Sequence, residues 1–419
     1  MTNEGVMEKD KLKIFVSAYA CEPGLGSEIG VGWHWVLEMS KYFELWVLTR
    51  KSNCHTIEPW ITAHPEYSNI HFLYYDWPKW ARFWKKGLRG VRTYYNIWQV
   101  CTNSIVKRTM QENGISIYHH LTYGNALWKV SSYGQRQFFI WGPIGGLETI
   151  PKEFSCRYGW KWRMIERTRR VVVKLLPMNF GFKKRCRNAD LILCKTDITQ
   201  SLIPEKYRGK AVLQTDVAVE RMECQQESDY SEECGCLNLI TVGRLDAWRG
   251  FDLCIEALSK AVREHHNIRL TIVGSGTDEM RLKRLSDEQE VKDKVTFTGK
   301  VSGEEYKQLL RRADAVINAS LKEGAVTVSF DCMALGKPLI CLDTTGYTRY
   351  FSNEYAIIIS ILNREQVVSN LKNGMTRLCN AELRKQMSTK AKLAGKQFTW
   401  TKRGEDIHHW FTEKTKESY

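Results

Sequence analysis

The sequence has no stretch of 18 consecutive apolar residues, so it offers no candidate for a membrane-spanning helix. Its opening residues, MTNEGVMEKDKLK, lack the apolar core of a secretory signal peptide, and we expect a cytoplasmic protein. Thirteen cysteines are present, but their spacing matches neither a disulfide framework nor a common zinc site. The thiols are therefore expected to be reduced, and no metal site is predicted.

What is present is typical of a folded protein. Hydrophobic residues make up 43% of the 419 residues and charged residues 26%. A chain of this length exceeds one ordinary hydrophobic core, which favours two domains.

Short apolar runs alternate with helical patterns in both halves of the chain. The runs lie at 12–18, 44–49, 69–75, 115–119, 137–141 and 190–194, and then at 237–243, 269–274, 295–299, 315–320 and 338–342. Such alternation predicts parallel sheets covered by helices, so the fold class is α/β with two Rossmann-like doubly wound domains facing across a cleft. The expected division is a first domain at 1–215, a linker at 216–236, a second domain at 237–395, and a final helix at 396–419 that packs back on the first domain.

Positive charge is concentrated in two segments of the first half. Residues 79–92 contain six basic and no acidic residues, and residues 151–190 contain twelve basic and three acidic ones, which together account for the net charge of +15. Tryptophans stand among the basic residues in both segments, a pattern that suits an anionic membrane surface. The residues assigned to this contact are Lys79, Trp80, Arg82, Trp84, Lys85, Lys86 and Arg89. A solvated charged helix is the alternative, and no nucleic-acid-binding module is visible.

The second half carries candidate phosphate ligands at strand ends. Arg244 and Arg249 follow the run at 237–243, in a loop that leads into a helix, where two guanidinium groups suit a diphosphate. Gly274 and Gly299 end two further strands, and their backbone is able to approach a ligand closely. Two solvated arginines and two ordinary turns are the alternative interpretation.

The stretch LKEGAVTVSFDCMALGKPLICLD, residues 321–343, places two carboxylates around a helix start. Residues Gly324, Ala325, Val326 and Thr327 have small side chains, and their free N–H groups favour an anion. Glu323 precedes this loop and Asp331 lies just over one turn inside the helix. Carboxylates accept hydrogen bonds from vicinal hydroxyls, so this arrangement predicts a ligand with phosphates between two sugars, as in a nucleoside-diphosphate sugar.

Taken together, these motifs resemble the retaining glycosyltransferases of family 4. The resemblance rests on Gly243-Arg244-Leu245, Arg249-Gly250, Glu323-Gly324, Asp331 and Gly336, and on SAYACEPGLGSEIGVGWHW and WGPIGGLETIP in the first half, which look like a bacterial polysaccharide-type branch. The resemblance implies the GT-B fold and transfer of a hexose-type sugar from a UDP or GDP donor to a glycan acceptor.

The resemblance also implies roles for single residues. Arg244 and Arg249 would hold the diphosphate, Glu323 the transferred sugar, and Asp331 the ribose. The family usually has Lys where Arg249 stands and Glu where Asp331 stands. Gly24 and Gly26 would approach the diphosphate from the first domain. His120 would lie near the reacting sugar, with His119 as the alternative.

The expected enzyme needs no cofactor and no metal, since the sequence has no D-x-D run for a metal–diphosphate complex. Its expected partners are the sugar nucleotide, a lipid-linked glycan and the inner face of the cytoplasmic membrane, but no nucleic acid. Two alternatives stay open: a catalytically weak, membrane-docked partner of other transferases, and a soluble-sugar synthase on the same fold.

Overall fold

The computed structural model describes residues 11–24, 26–85, 90–131, 137–157, 159–219, 235–324, 327–344 and 346–416. Within them the chain forms two parallel β-sheets, each flanked by α-helices. The predicted α/β class with two Rossmann-like domains is confirmed.

The first domain contains a seven-stranded sheet. Its strands are β1 (Lys13–Ser17), β2 (Glu44–Arg50), β3 (Ile70–Tyr75), β4 (Ile117–His120), β5 (Phe138–Ile144), β6 (Leu191–Cys194) and β7 (Ala211–Leu213). They pair in parallel in the order β3-β2-β1-β4-β5-β6-β7. The accompanying helices are α1 (Ser27–Ser40), α2 (Cys54–Ala63), α3 (Val91–Cys101), α4 (Asn103–Glu112), α5 (Trp160–Leu175), α6 (Phe180–Asn188) and α7 (Asp197–Ser201).

The second domain contains a six-stranded sheet. Its strands are β8 (Leu237–Val242), β9 (Ile268–Val273), β10 (Val295–Gly299), β11 (Ala315–Asn318), β12 (Leu339–Leu342) and β13 (Ala356–Ile359). They are parallel, in the order β10-β9-β8-β11-β12-β13. The helices are α8 (Phe251–Arg263), α9 (Glu279–Glu288), α10 (Gly303–Arg312), α11 (Thr327–Ala334), α12 (Arg364–Arg377) and α13 (Ala381–Gly395), and α14 (Trp400–Lys416) ends the described chain.

Both sheets are covered on both faces, which explains why their strands are nearly continuous apolar runs. Ile14 and Val16 of β1 belong to one buried cluster, whereas Phe15 belongs to the cluster on the opposite face. Leu239 and Ile240 of β8 divide between two clusters in the same way.

The strand order reverses between β1 and β4 in the first sheet and between β8 and β11 in the second. In open parallel sheets, the loops that follow such a pair of strands diverge and leave a crevice at the carboxyl edge. The loops after these strands are therefore where a ligand is expected.

The final helix α14 packs on the first sheet. Trp400 and Phe411 are buried in the cluster that contains Ile14. The buried guanidinium of Arg403 donates hydrogen bonds to the carbonyls of Thr215 (2.6 Å) and Val217 (3.2 Å). These hydrogen bonds join α14 to the segment that leaves the first domain after β7.

Two strands were not predicted. The three-residue strand β7 follows the run at 190–194 in the first domain, and β13 follows the run at 338–342 in the second. Of the expected linker at 216–236, residues 220–234 lie outside the described part of the chain.

Candidate active site

The loops after β8, β9 and β11 pack backbone against backbone. A Cβ at Gly250 would collide with the carbonyl of Ala319, and a Cβ at Gly274 would collide with that of Gly243. Gly250 and Gly274 also have φ angles of +70° and +131°, which residues with a side chain rarely adopt. The loops therefore form one continuous edge of the second domain. Gly274 additionally donates its N–H to the carbonyl of Gly299 (2.8 Å) at the end of β10.

Arg249 and Glu323 form an ion pair across this edge. The guanidinium of Arg249 lies over the ring of Trp248, 4.4 Å from its centroid, and Glu323 also accepts a hydrogen bond from the Ser320 hydroxyl (3.1 Å). Glu323 is buried, and its two donors, Arg249 and Ser320, fix the position of its carboxylate. Sequence spacing alone did not predict this pairing, because the two residues are 74 positions apart.

The second predicted arginine has a different environment. Arg244 is exposed over 60% of its side chain and pairs with Asp246 at 2.6 Å. Such exposed pairs are weak, so the Arg244 side chain is able to exchange Asp246 for another anion at little energetic cost.

A cavity of about 510 Å³ lies where the loop after β1 meets the start of α11. Gly24 and Gly26 line it from the first domain, and Thr327 and Asp331 from the second. The Tyr306 hydroxyl donates a 2.6 Å hydrogen bond to the buried carboxylate of Asp331. The volume falls within the range of about 300–1,000 Å³ that is usual for small-molecule sites.

The structure thus brings together four of the residues predicted for a donor site. Gly24, Gly26, Thr327 and Asp331 share one cavity. The lining of their cavity does not include the other described residues of that prediction, which are Arg244, Arg249, Gly274, Gly299, Glu323 and Gly324. Gly324 lines a smaller neighbouring cavity. The predicted Ala325 and Val326 lie outside the residues that the structure describes.

The neighbouring cavity has a volume of about 220 Å³ and is lined by charged residues of the first domain. They are Glu28, Glu148, Lys195 and Asp216. Sequence reasoning missed all four. The available signal was position, since Glu148 and Lys195 follow the ends of β5 and β6 and Glu28 lies in the first turn of α1.

Lys195 is held among these carboxylates. Its ammonium lies 2.5 Å from Asp216. Burial alone would lower the pKa of Lys195, but the neighbouring charges of Asp216 and Glu28 outweigh burial and raise it, so the lysine is charged. Burial raises the pKa of Glu28, whose carboxylate accepts a 2.7 Å hydrogen bond from the N–H of Tyr123.

The predicted catalytic histidine lies elsewhere. His120 is 1% exposed, and its Nε2 lies 3.0 Å from the Tyr95 hydroxyl inside the first domain. His119 is also buried, with its Nε2 2.8 Å from the carbonyl of Gly142. The lining residues of the two cavities include neither histidine. Both histidines are buried at the end of β4, which is an interior strand of the first sheet. The role of His120 near the reacting sugar stays a prediction.

The predicted membrane segment is only partly a free surface. Trp80 is 79% exposed and Lys79 is exposed. In contrast, Arg82 pairs with Asp76 (3.2 Å), Lys85 lies over the ring of Tyr94, and Trp84 packs against the core. The predicted Lys86 and Arg89 lie outside the described residues.

Helix α5 offers a larger surface of the same kind. Its exposed apolar residues are Trp160, Trp162, Met164, Ile165, Val171, Val172 and Leu175. Its exposed basic residues are Lys161, Arg163, Arg167 and Lys174. Its buried side reaches the cleft, because Glu166 pairs with Lys322 (2.6 Å) and Arg169 donates to the carbonyl of Gly146 (2.6 Å).

No helix in the described part of the chain is long and apolar enough to span a bilayer. Within the same residues, no group of three His, Cys, Asp or Glu side chains has the geometry to hold a metal ion.

The second domain is similar to a known protein family. Residues 237–394 match the model of the family described as Glycosyl transferases group 1. An uncharacterized glycosyltransferase of Methanocaldococcus jannaschii is 27% identical over 227 residues, covering 52% of this chain and 56% of that protein. The chain spans less than two thirds of the length of the curated relatives that it first matches.

Solved structures match over nearly the whole chain. The lipopolysaccharide outer core galactosyltransferase WaaB has a TM-score of 0.62 at 11% identity, covering 96% of this chain and 100% of that one. HepE of Anabaena, solved in complex with UDP, has a TM-score of 0.60 at 12% identity, with the same coverage. The chain has the GT-B fold. At such low identity the likeness establishes the fold alone, and the predicted GT-B architecture is confirmed.

Proposed function

We propose that this protein is a retaining glycosyltransferase of family 4, of a bacterial polysaccharide-type branch, that transfers a hexose-type sugar from a UDP or GDP donor to a hydroxyl of a glycan acceptor. The observation that carries the proposal is the cavity of about 510 Å³ in which Gly24 and Gly26 of one domain face Thr327 and Asp331 of the other. The match of residues 237–394 to group 1 glycosyltransferases supports it.

The donor would lie along the carboxyl edge of the second sheet. Its diphosphate would meet the N–H groups at the start of α11, with Arg244 and Arg249 supplying positive charge. Asp331 would accept hydrogen bonds from the ribose hydroxyls, and Glu323 from those of the transferred sugar. The hydrogen bonds from Arg249 and Ser320 keep the Glu323 carboxylate oriented for this role.

The reaction would proceed by front-face attack, which retains the configuration at the anomeric carbon. The acceptor oxygen bonds to that carbon, the bond from the carbon to the diphosphate oxygen breaks, and the acceptor proton passes to the departing phosphate. Arg244, Arg249 and the N–H groups of α11 would stabilise the charge that develops on the leaving group. We propose that the enzyme is metal-independent, because the sequence has no D-x-D run.

We further propose that the acceptor is lipid-linked and that the protein works at the inner face of the cytoplasmic membrane, in synthesis of a cell-surface polysaccharide. The exposed apolar and basic residues of α5 support this, since each basic residue adds about 1 kcal/mol of attraction to an anionic surface. The structurally similar WaaB is a lipopolysaccharide outer core galactosyltransferase. This part of the proposal concerns the first domain, which holds the basic segments.

The proposal is tested by the release of nucleoside diphosphate from UDP-glucose, UDP-galactose and GDP-mannose, with bacterial lipid-linked glycans as acceptors. We expect one donor to turn over, and Glu323→Gln to lose roughly ten- to a hundredfold of the rate, the effect of losing a charged hydrogen bond. Glu382→Gln, at an exposed acid of the same domain, is the matched control and should retain full rate. Equal rates in both variants would contradict the assigned role, and no turnover of any donor would favour the non-catalytic partner.

A further inference from the structure

The smaller cavity is lined by charged side chains that have no role in the proposed binding of the donor. Its lining includes three carboxylates, of Glu28, Glu148 and Asp216, and one ammonium, of Lys195. Ionised carboxylates only accept hydrogen bonds, whereas sugar hydroxyls donate them. A surplus of acceptors therefore suits a ligand with several hydroxyl groups. The same surplus of negative charge disfavours a phosphate or a uronate.

Two of these carboxylates have a buried oxygen without a hydrogen-bond partner among the described residues. Glu148 is 5% exposed, and its Oε1 has no hydrogen-bond partner within the described part of the chain. Oδ1 of Asp216 is buried and unpartnered in the same sense, although Oδ2 pairs with Lys195. A buried, unpaired carboxylate oxygen costs about 1–3 kcal/mol or more, so its retention beside a cavity points to a ligand that donates to it.

The position of the cavity relates it to the donor site. The two cavities share Val31, Val217 and Thr327 in their linings, so they adjoin at the amino end of α11. A Cβ placed on Gly324 would lie 3.1 Å from Oε1 of Glu148. The Glu148 carboxylate thus stands against the loop that is proposed to hold the donor diphosphate, on the side of the first domain.

The size of the cavity limits its occupant. At about 220 Å³ it is smaller than the roughly 300–1,000 Å³ that holds a whole small-molecule ligand. It suits one sugar ring better than a sugar nucleotide. Arg169 donates to the carbonyls of Glu148 (2.8 Å) and Gly146 (2.6 Å), which fixes the backbone that carries the carboxylate.

We propose that this cavity is the acceptor subsite, and that Glu148, with Asp216, accepts hydrogen bonds from the hydroxyls of a neutral sugar at the end of the acceptor glycan. The proposal rests on the proposed glycosyltransferase function and names its acceptor class. Lys195 acts as a positioning residue, because its ion pair orients Asp216 toward the cavity.

Saturation-transfer NMR on the full chain tests the subsite with the methyl glycosides of glucose, galactose and mannose, and with methyl glucuronide as the anionic comparison. We expect at least one neutral glycoside to bind and the glucuronide to bind more weakly. Glu148→Gln should weaken the binding of the neutral glycoside by about tenfold or more. Glu382→Gln is again the matched control and should leave that binding unchanged.

Thermal unfolding of the same variants separates a binding role from a structural one. Since Oε1 of Glu148 has no hydrogen-bond partner among the residues that the structure describes, Glu148→Gln should keep or raise the melting temperature while it loses glycoside binding. A lowered melting temperature with unchanged glycoside binding would overturn the proposal. Absence of any neutral glycoside signal, or stronger binding of the glucuronide, would do the same.

Binding of UDP and GDP, measured in parallel, keeps the two proposals distinct. Nucleotide binding without Glu148-dependent glycoside binding would remove the subsite and leave the donor site. Glu148-dependent glycoside binding without nucleotide binding would support the subsite and remove the proposed transfer from a sugar nucleotide.

Discussion

Asp331 is a motif residue whose side chain is held by a hydrogen bond from another helix. Its carboxylate accepts a 2.6 Å hydrogen bond from Tyr306, so one of its acceptor directions is fixed before any ligand arrives. We expect Asp331→Asn to weaken UDP binding by roughly tenfold or more, since a charged acceptor is lost. Tyr306→Phe should weaken it only a few-fold, because the carboxylate stays. Calorimetric titration with UDP measures both, and unchanged affinity in Asp331→Asn would remove the residue from the site.

The burial of His119 and His120 makes the stability of the protein depend on pH. Burial lowers the pKa of His119 to about 4 and that of His120 to about 3, compared with about 6.5 in an unfolded chain. Between about pH 6.5 and pH 4 the unfolded chain therefore binds protons that the folded chain does not. The free energy of unfolding consequently falls as the pH falls through that window.

Replacing one histidine should reduce this acid sensitivity. In His120→Gln, we expect the free energy of unfolding to fall less steeply with decreasing pH, by up to about 1.4 kcal/mol per pH unit. Urea unfolding at pH 4, 5, 6 and 7 gives the slope for the wild type and the variant. Carboxylates contribute to both proteins and cancel in the difference. Parallel slopes would show that His120 is protonated in the folded protein.

Residue pairing is the part of the site that the sequence did not reveal. The motif placed Glu323 and Arg249 at one sheet edge, which the structure bears out, but it assigned them to different parts of the donor. Their ion pair joins positions 74 residues apart and depends on how the loops after β8 and β11 pack. The burial of His119 and His120 was not predictable for a related reason, since a strand end predicts proximity to the edge and not the direction of a side chain.

At the scale of single elements, α5 combines two surfaces. Its exposed side carries tryptophans and basic residues, and its buried side carries Glu166, which pairs with Lys322 next to Glu323. Burial lowers the pKa of Lys322, and its hydrogen bond with Glu166 opposes that shift. The helix that is proposed to meet the membrane therefore also contacts the loop proposed to hold the transferred sugar.

Charge reversal on α5 tests the membrane assignment. We expect Arg163→Glu with Arg167→Glu to reduce binding to anionic liposomes by more than about tenfold, since each basic residue contributes about 1 kcal/mol. Arg263→Glu with Lys292→Glu carries the same change of charge on the exposed surface of the second domain and should bind as the wild type does. Cosedimentation measures both. Equal loss in the two double variants would indicate a general charge effect instead of a docking helix.

The elements themselves were largely predictable, because short apolar runs alternate with helical patterns throughout the chain. The two missed strands have different causes. β7 is a three-residue strand, Ala211–Leu213, at the sheet edge, too short to show a pattern. β13, Ala356–Ile359, has the β-branched sequence AIII, so its signal is present in the sequence.

At the scale of the whole molecule, the last helix of the chain completes the core of the first domain. Phe411 is fully buried beside residues of β1 and α1. We expect Phe411→Ala to lower the free energy of unfolding by about 3–5 kcal/mol, as for other buried aromatic residues. Phe180→Ala, at a side chain that is 78% exposed, is the control and should change stability little. Chemical denaturation gives both values, and similar stabilities would show that α14 does not support the first domain.

The assembly of the cleft is also a property of the whole molecule. Glu28, Glu148, Lys195 and Asp216 come from four separate places in the first domain, and Gly324 faces them from the second. No local motif joins them, so sequence reasoning found the donor side, which is local to a few loops, and missed the opposite side. Parallel sheets bring such residues together because all their strands end at one edge.

The central claim is that the cleft between the two domains binds a nucleoside diphosphate. Its most direct test is thermal unfolding of the wild type and of Arg244→Ala with UDP, GDP, ADP and CMP. A ligand at a hundred times its dissociation constant adds about 2.7 kcal/mol of stability. We predict a raised melting temperature with UDP or GDP, and loss of that increase in Arg244→Ala. No increase with any nucleotide, or an equal increase in the variant, would contradict the account.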